Sequence, residues 1–306
     1  MPLLVTGTIG MDDVVTPTGH AQQVLGGSCM YFSAAASFFG PVRLVAAVGE
    51  DFPPAFRDSF KQFPNVDLAG LETRKGSKTF RWGAKYHANM NSRDTLFTEL
   101  GVVGEAPPKV PAAYADSKFL FLANSPPAVQ AQFLEQVPAR KLTVVDTMDI
   151  WIDTAKADLL ALLKRVDGLV LNYDEAELLT KKLNSVSAGR HILDLGPRFV
   201  IVKKGEHGCL LIHRDGICSL PAYPTERVVD PTGCGDTFAG GMMGSIAADP
   251  SAQKDPGSFA SIRRALVHGT IVASYTIEAF SLDRLKQITL GDLTNRFDEY
   301  AGMVRI

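Results

Sequence analysis

Asp236 closes the run Gly233-Cys234-Gly235-Asp236 inside the string VVDPTGCGDTFAGG, residues 228–241. The glycines fall where a helix-like segment, DTFAGGMMGSIAA, begins, and RVV just before the motif reads as a short strand. A glycine turn that opens a helix leaves amide N–H groups free at the positive end of the helix dipole, which suits a phosphate. A carboxylate beside that anion is repelled unless it has work to do. Taking the proton from an incoming hydroxyl is such work. The same residues also make an ordinary tight turn with an acid in the first helical turn, and on this string alone both readings stand.

The elements that must position such a site alternate along the chain. Apolar runs suited to buried parallel strands lie at 3–7 (LLVTG), 42–49, 118–124, 141–147, 167–172 and 198–205. Helical segments follow, among them SCMYFSAAASFFG (28–40), PPAVQAQFLEQV, WIDTAKADLLALLKRV and YDEAELLTKKL. Strand, helix, strand at this spacing implies a parallel sheet covered on both faces. Residues 67–103 break the rhythm: they are rich in Thr and aromatics, alternate in polarity and carry a Lys-Gly-Ser turn. They read as half-exposed antiparallel strands, joined by 14–27, forming a lid over the sheet. With no repeat or linker, the expectation is one domain over 1–306.

Composition narrows the class. A net charge of -2 offers no footprint for nucleic acid, and no apolar run has the length of a bilayer span. The N-terminus lacks a basic region and a cleavage site, and the four cysteines have no paired spacing, so a reduced cytoplasmic protein is expected. The six histidines form no metal pattern. Cys234 stands at the helix start, where a thiol pKa is lowered, so oxidation sensitivity is expected there.

DPTGCGDTFAGG resembles, almost position by position, the C-terminal signature of the ribokinase-like (PfkB) carbohydrate kinases. The resemblance covers nearly the whole chain. Gly26 and Gly27, followed by a helix ending in Gly40, resemble the N-terminal signature; VGEDF (48–52), NYDE (172–175) and VKKGEHG (202–208) resemble three further motifs in the same order. No G-x-x-x-x-G-K-[ST] occurs, which removes the P-loop alternative.

The resemblance implies an α/β fold, a ribokinase-like three-layer α/β/α sandwich with a mainly parallel sheet and a small inserted β lid. It implies an ATP-dependent kinase using Mg²⁺, with a monovalent cation near Asp230 and Thr232. Asp236 would be the base, and the amides of Gly233, Cys234, Gly235 and Asp236 the anion hole for the transferring phosphoryl group. Asn172 and Glu175 would place Mg²⁺ through water. Lys203, Gly205, Gly208 and Thr232 would line the nucleotide. Asp12, read as the end of the first strand and preferred to the competing Asp13 on its spacing from Gly7, would bind acceptor hydroxyls with Gly26, Gly27 and Ser28.

The acceptor is a primary hydroxyl of a sugar or sugar-like molecule on this reading. Departures from ribokinases matter here. Gly10 stands two residues before Asp12 where they carry Asn; Tyr31 replaces a second Asn; Ala123, with Asn124 beside it, replaces a glutamate. GGS at 26–28 resembles adenosine kinases, and Tyr31 would pack a base, so a nucleoside kinase is the alternative. A non-catalytic sugar or nucleotide sensor is a third reading, which the retained Asp236, Asn172 and Glu175 oppose. On the lid, Arg81 with Lys85 would hold an anionic substituent. The lid's half-apolar outer face would be covered by a second copy, giving a homodimer.

Overall fold

The computed structural model describes residues 1–305. Its strands, in chain order, are β1 (Leu3–Thr6), β2 (Gly10–Thr16), β3 (Gly19–Gly26), β4 (Val42–Gly49), β5 (Val66–Arg74), β6 (Phe80–Tyr86) and β7 (Arg93–Glu99). They continue as β8 (Phe119–Leu122), β9 (Leu142–Asp146), β10 (Gly168–Asn172), β11 (Phe199–Lys203), β12 (Cys209–His213) and β13 (Gly216–Leu220). Nine of them form one sheet in the order β13-β12-β11-β10-β9-β8-β1-β4-β5; the other four form a second sheet, β3-β2-β6-β7.

The large sheet is parallel from β5 to β11 and ends in the antiparallel β11-β12-β13 meander. Its central strands are mostly apolar because both faces are buried. On β1, Leu3 and Val5 enter one core while Leu4 enters the other. β8 divides alike, Phe119 and Phe121 from Leu120 and Leu122. Helices Ser28–Ser37, Cys234–Ala248 and Phe259–Thr276 cover the first face. Helices Pro127–Gln136, Lys156–Leu163, Tyr173–Thr180 and Ser185–Asp194 cover the second. These three layers are those of the α/β/α sandwich, and Phe32 of the first layer stacks on Phe121 of the sheet at 4.5 Å. No helix among the described residues is long and apolar enough to cross a membrane.

The chain order reverses at β1, which has β8 on one side and β4 on the other. Open parallel sheets form their crevice at such a point, outside the carboxyl ends of the strands. The small sheet leaves the large one there, starting four residues after β1. Its parallel β2-β6 pair and two flanking hairpins make a flap.

Four expectations change. Residues 66–74 are not part of the flap: β5 pairs with β4, and its adjacent residues Gly70 and Leu71 are buried there. The flap starts earlier than 14, at Gly10, so Asp12 lies inside β2 and not at the end of β1. The run 227–229 forms no strand; the Val229 amide instead donates to Ile277 O at 2.8 Å. The segment 151–166 is two helices, Asp149–Thr154 and Lys156–Leu163, parted at Ala155 with φ -134°.

Candidate active site

Gly233 is the N-cap of the Cys234–Ala248 helix, with φ +75°. A Cβ there would stand 2.4 Å from Tyr31 Cδ1, so only glycine fits both the conformation and the space. Tyr31 is thus buried beneath the turn and supports it, instead of lining an acceptor pocket. Of the four expected amides, that of Cys234 is committed to Pro231 O at 3.2 Å. Gly235 and Asp236, in the first helical turn, have amides with no partner inside the helix.

Lys203, at the carboxyl end of β11, reaches this turn: a Cβ on Gly235 would lie 2.6 Å from its Nζ. One ammonium thus faces several buried carboxyls. Burial raises Asp236 to about 6, with Lys203 the first charge opposing the rise. At neutral pH Asp236 is an ionised acceptor for a proton. Burial also holds Asp146 well above the usual carboxylate range, with Asp236 adding to the effect. Asp146 ends β9, and its Oδ1 is buried without a hydrogen-bond partner among the described residues.

Asn172 and Glu175 first serve the Tyr173–Thr180 helix. Asn172 Oδ1 accepts from the Glu175 amide at 2.8 Å, and Glu175 Oε2 accepts from the Asn172 amide at 2.7 Å, a capping box. Glu175 remains raised by burial, with Lys203 opposing. No group of three or more His, Cys, Asp or Glu among the described residues is arranged to hold a metal ion by itself. The orphaned Asp146 oxygen beside Glu175 and Lys203 is nevertheless the kind of donor that a hydrated divalent cation satisfies.

Behind the turn, Asp230 Oδ1 accepts from the Thr232 amide at 2.8 Å while its Oδ2 is buried without a partner. The Cys234 thiol is pushed up, first by burial and then by Asp230 and Asp236, against the expected lowering. The carboxylates and the low-dielectric packing outweigh the helix dipole. On the nucleotide side, Gly205 (φ +55°) and Gly208 (φ +80°) form the turn after β11, where a Cβ on Gly208 would meet Leu220 O at 2.0 Å.

On the acceptor side Asp12 is buried in β2, directly across from Trp82 of β6 and therefore on the same face. Burial, then Asp230 and Asp236, raise it to about 8. Gly26 makes room for it: a Cβ would stand 1.9 Å from Asp12 Oδ2. Gly27 (φ +97°) leads into the Ser28–Ser37 helix. Ser28 Oγ is spent on the Thr8 amide and hydroxyl, at 3.2 and 3.1 Å, and so closes the β1 end. Asn124 is also engaged, accepting from Trp151 Nε1 at 2.8 Å and donating to Met148 Sδ at 3.3 Å.

Arg81 does not face this side. Strand parity puts it on the flap's outer face, with Asp13 Oδ2 at 3.7 Å and Glu99 Oε2 at 3.4 Å neutralising it. The inner face instead carries Trp82, whose buried Nε1 has no partner among the described residues, and Tyr86, whose hydroxyl accepts from Thr232 Oγ1 at 3.2 Å. Sequence reasoning missed Asp146 as a site neighbour, and of the lid run that also holds Trp82 and Tyr86 it singled out Arg81 for the acceptor. An acid at the carboxyl end of a buried parallel strand was the available signal for Asp146.

The sequence pattern described as pfkB family carbohydrate kinase matches residues 26–285. The chain belongs to that family; it is a phosphotransferase acting on a hydroxyl group, of the class that takes sugars and nucleosides. The cytidine kinase of Thermococcus kodakarensis is 30% identical over 251 residues, covering 79% of this chain and 87% of that protein. Rice fructokinase-2 is 32% identical over 102 residues, 32% of this chain and 30% of that one. Among solved structures, the nucleoside kinase of Burkholderia thailandensis with ADP and inosine superposes with a TM-score of 0.77 at 18% identity, covering 99% of this chain and 96% of that one. Arabidopsis thaliana ribokinase with ribose and ATP gives 0.74 at 19%, covering 97% and 98%. At these identities the structural likeness is one of fold.

Proposed function

We propose that the protein transfers the γ-phosphoryl group of ATP to the primary hydroxyl of a nucleoside. Asp236 accepts the hydroxyl proton as the acceptor oxygen attacks. The amides of Gly235 and Asp236, with Gly233 shaping the turn, receive the phosphoryl oxygens, and the Lys203 ammonium offsets the charge gathered there. Gly205, Gly208 and Thr232 border the nucleotide. Glu175 and Asp146, with Asn172 setting the helix end, are the residues that would hold hydrated Mg²⁺, which supplies charge neutralisation on the phosphates. The orphaned Asp230 oxygen is the candidate for a monovalent cation.

The observation that carries the acceptor assignment is Trp82. A buried indole N–H without a partner, directly across from Asp12, calls for a ligand acceptor and offers a flat ring to a base. The cytidine kinase relative agrees with this choice. A free sugar is the second reading, favoured by the partial likeness to rice fructokinase-2. ADP release measured with cytidine, inosine, ribose and fructose, with product mass confirmed, decides between them. Turnover of ribose or fructose at ten or more times the kcat/KM of both nucleosides, on the order of a full decade, would reverse the assignment.

The flap with Val15, Leu96 and Leu100 exposed is the proposed contact with a second copy. We propose a cytoplasmic location, which an ATP donor and four free cysteines are compatible with.

A further inference from the structure

The flap touches the far side of the cleft as well as the acceptor side. Its β6-β7 hairpin tip reaches the nucleotide turn, where Asn91 Nδ2 donates to Glu206 Oε1 at 3.2 Å. A Cβ on Gly205 would stand 3.0 Å from Asn91 Oδ1, so the tip lies directly over that glycine. The tip is itself ordered. The His87 amide donates to Ser92 O at 2.9 Å, and Asn89 Oδ1 accepts from the amides of Asn91 and Ser92 at 3.1 and 3.2 Å.

One step along β7 stands Arg93, in register with Tyr86 and so on the inner face. Tyr86 is bonded to Thr232, next to the glycine turn. The Arg93 guanidinium rests 5.5 Å from the Trp82 ring centroid and makes no ion pair among the described residues. It contrasts with Arg81, neutralised on the outer face. Its charge also reaches the catalytic carboxyls: of the charges opposing the burial-driven rise of Asp236 and Glu175, Lys203 is the larger and Arg93 a further one. An unpaired arginine held on an aromatic ring, facing two acids and a phosphate turn, lacks only an anion.

We propose that the hairpin tip docks on the nucleotide turn through Asn91 and Glu206, and that the flap thereby brings Arg93 onto the transferring phosphoryl group. The proposal rests on the kinase reading above. In the step itself the acceptor oxygen bonds to the γ-phosphorus as the bond to the β-γ bridging oxygen breaks. ADP leaves with that electron pair, and the hydroxyl proton passes to Asp236. Arg93 exchanges no atom; it binds the equatorial oxygens, where charge is spread in the transition state. Asn91 and Glu206 are positioning residues. Because the docking partner is the nucleotide turn, the flap closes on nucleotide before any acceptor arrives, and water reaches the γ-phosphate only while Arg93 is withdrawn.

The test uses the full chain with Mg²⁺ and a non-hydrolysable ATP analogue alone. Amide exchange over 87–93 is expected to slow by about tenfold, and Glu206→Ala, at an exposed residue outside the catalytic machinery, should abolish most of that slowing. Arg93→Gln is expected to lower kcat by about 10²–10³-fold with acceptor KM nearly unchanged, and Arg93→Lys to recover about a decade of it. Exchange over 87–93 that responds to cytidine but not to the analogue would overturn the docking. An Arg93→Gln kcat within about threefold of wild type would overturn the role of Arg93. Failure of the kinase reading is separate: the wild type would then form no phosphorylated product, while the exchange arm still reports on docking.

Discussion

Gly26→Ala tests the acceptor site through one methyl group. Gly26 ends β3, and its added Cβ would fall 1.9 Å from Asp12 Oδ2 and 2.3 Å from Asp12 Cγ. Ordinary contact starts at 3.4 Å, so the carboxylate must retreat by about 1.5 Å. The backbone itself accepts alanine, since Gly26 is not among the glycines with positive φ. The substitution therefore moves a side chain without unfolding a strand. A hydrogen bond from an acceptor hydroxyl does not survive that displacement, and a misplacement of about 1 Å costs on the order of 10²-fold in rate. The expected result is a fall of about 10²-fold in kcat/KM for the acceptor, with ADP affinity by calorimetry unchanged. Gly302→Ala, where a Cβ meets nothing within 4 Å, is the matched control and should behave as wild type. A Gly26→Ala enzyme within about threefold of wild type in kcat/KM would refute the argument that Asp12 grips the acceptor.

Other outcomes follow from the same geometry. Asp236→Asn should lower kcat by about 10²-fold or more while nucleotide binding persists, checked by turnover and calorimetry. Glu175→Gln keeps the capping box, since Gln serves at that position; thermal stability should hold while the Mg²⁺ titration of activity shifts to higher concentration. Turnover should fall as pH drops through about 6, because Asp236 must be ionised to accept the proton. For the ligand-free chain, Asp12 at about 8 and Asp230 at about 6 both lie above their value of 3.8 in the unfolded chain, so the folded state binds more protons. Their contribution to stability is then fully present below about 4 and is lost as pH rises through about 6 and 8, which melting curves of wild type and Asp12→Asn compared across pH read out. Sedimentation at micromolar concentration should give a dimer, and a monomer there would remove the second copy from the flap.

The residues that do chemistry through their own backbone neighbourhood were legible in the sequence. The Gly233 turn, the start of its helix and the Asn172–Glu175 cap are local events, set by φ preferences and first-turn hydrogen bonds that a short string encodes. The buried parallel strands were legible too, because a strand covered on both faces reads as a near-continuous apolar run. The β12-β13 hairpin went unread although Asp215-Gly216 between two apolar runs is a turn signal.

What only the tertiary structure decided were the pairings and the parities. Whether 66–74 extends the main sheet or the flap depends on which strand edge it meets, and half-apolar residues fit either. Arg81 and Arg93 look alike in the sequence. Register with β2, together with the β6-β7 irregularity between Gly83 and Ala84, turns the first outward to Asp13 and Glu99 and the second inward over Trp82. The side-chain period of a strand is two, so one bulged residue reverses which face every later side chain takes, and sequence spacing does not show where the bulge falls. In the same way Asp12, Asp146, Lys203 and Asp236 come from four distant segments. The burial that raises their carboxyls, and the mutual charges that adjust them, exist only once the sheet and the helix layers close around them.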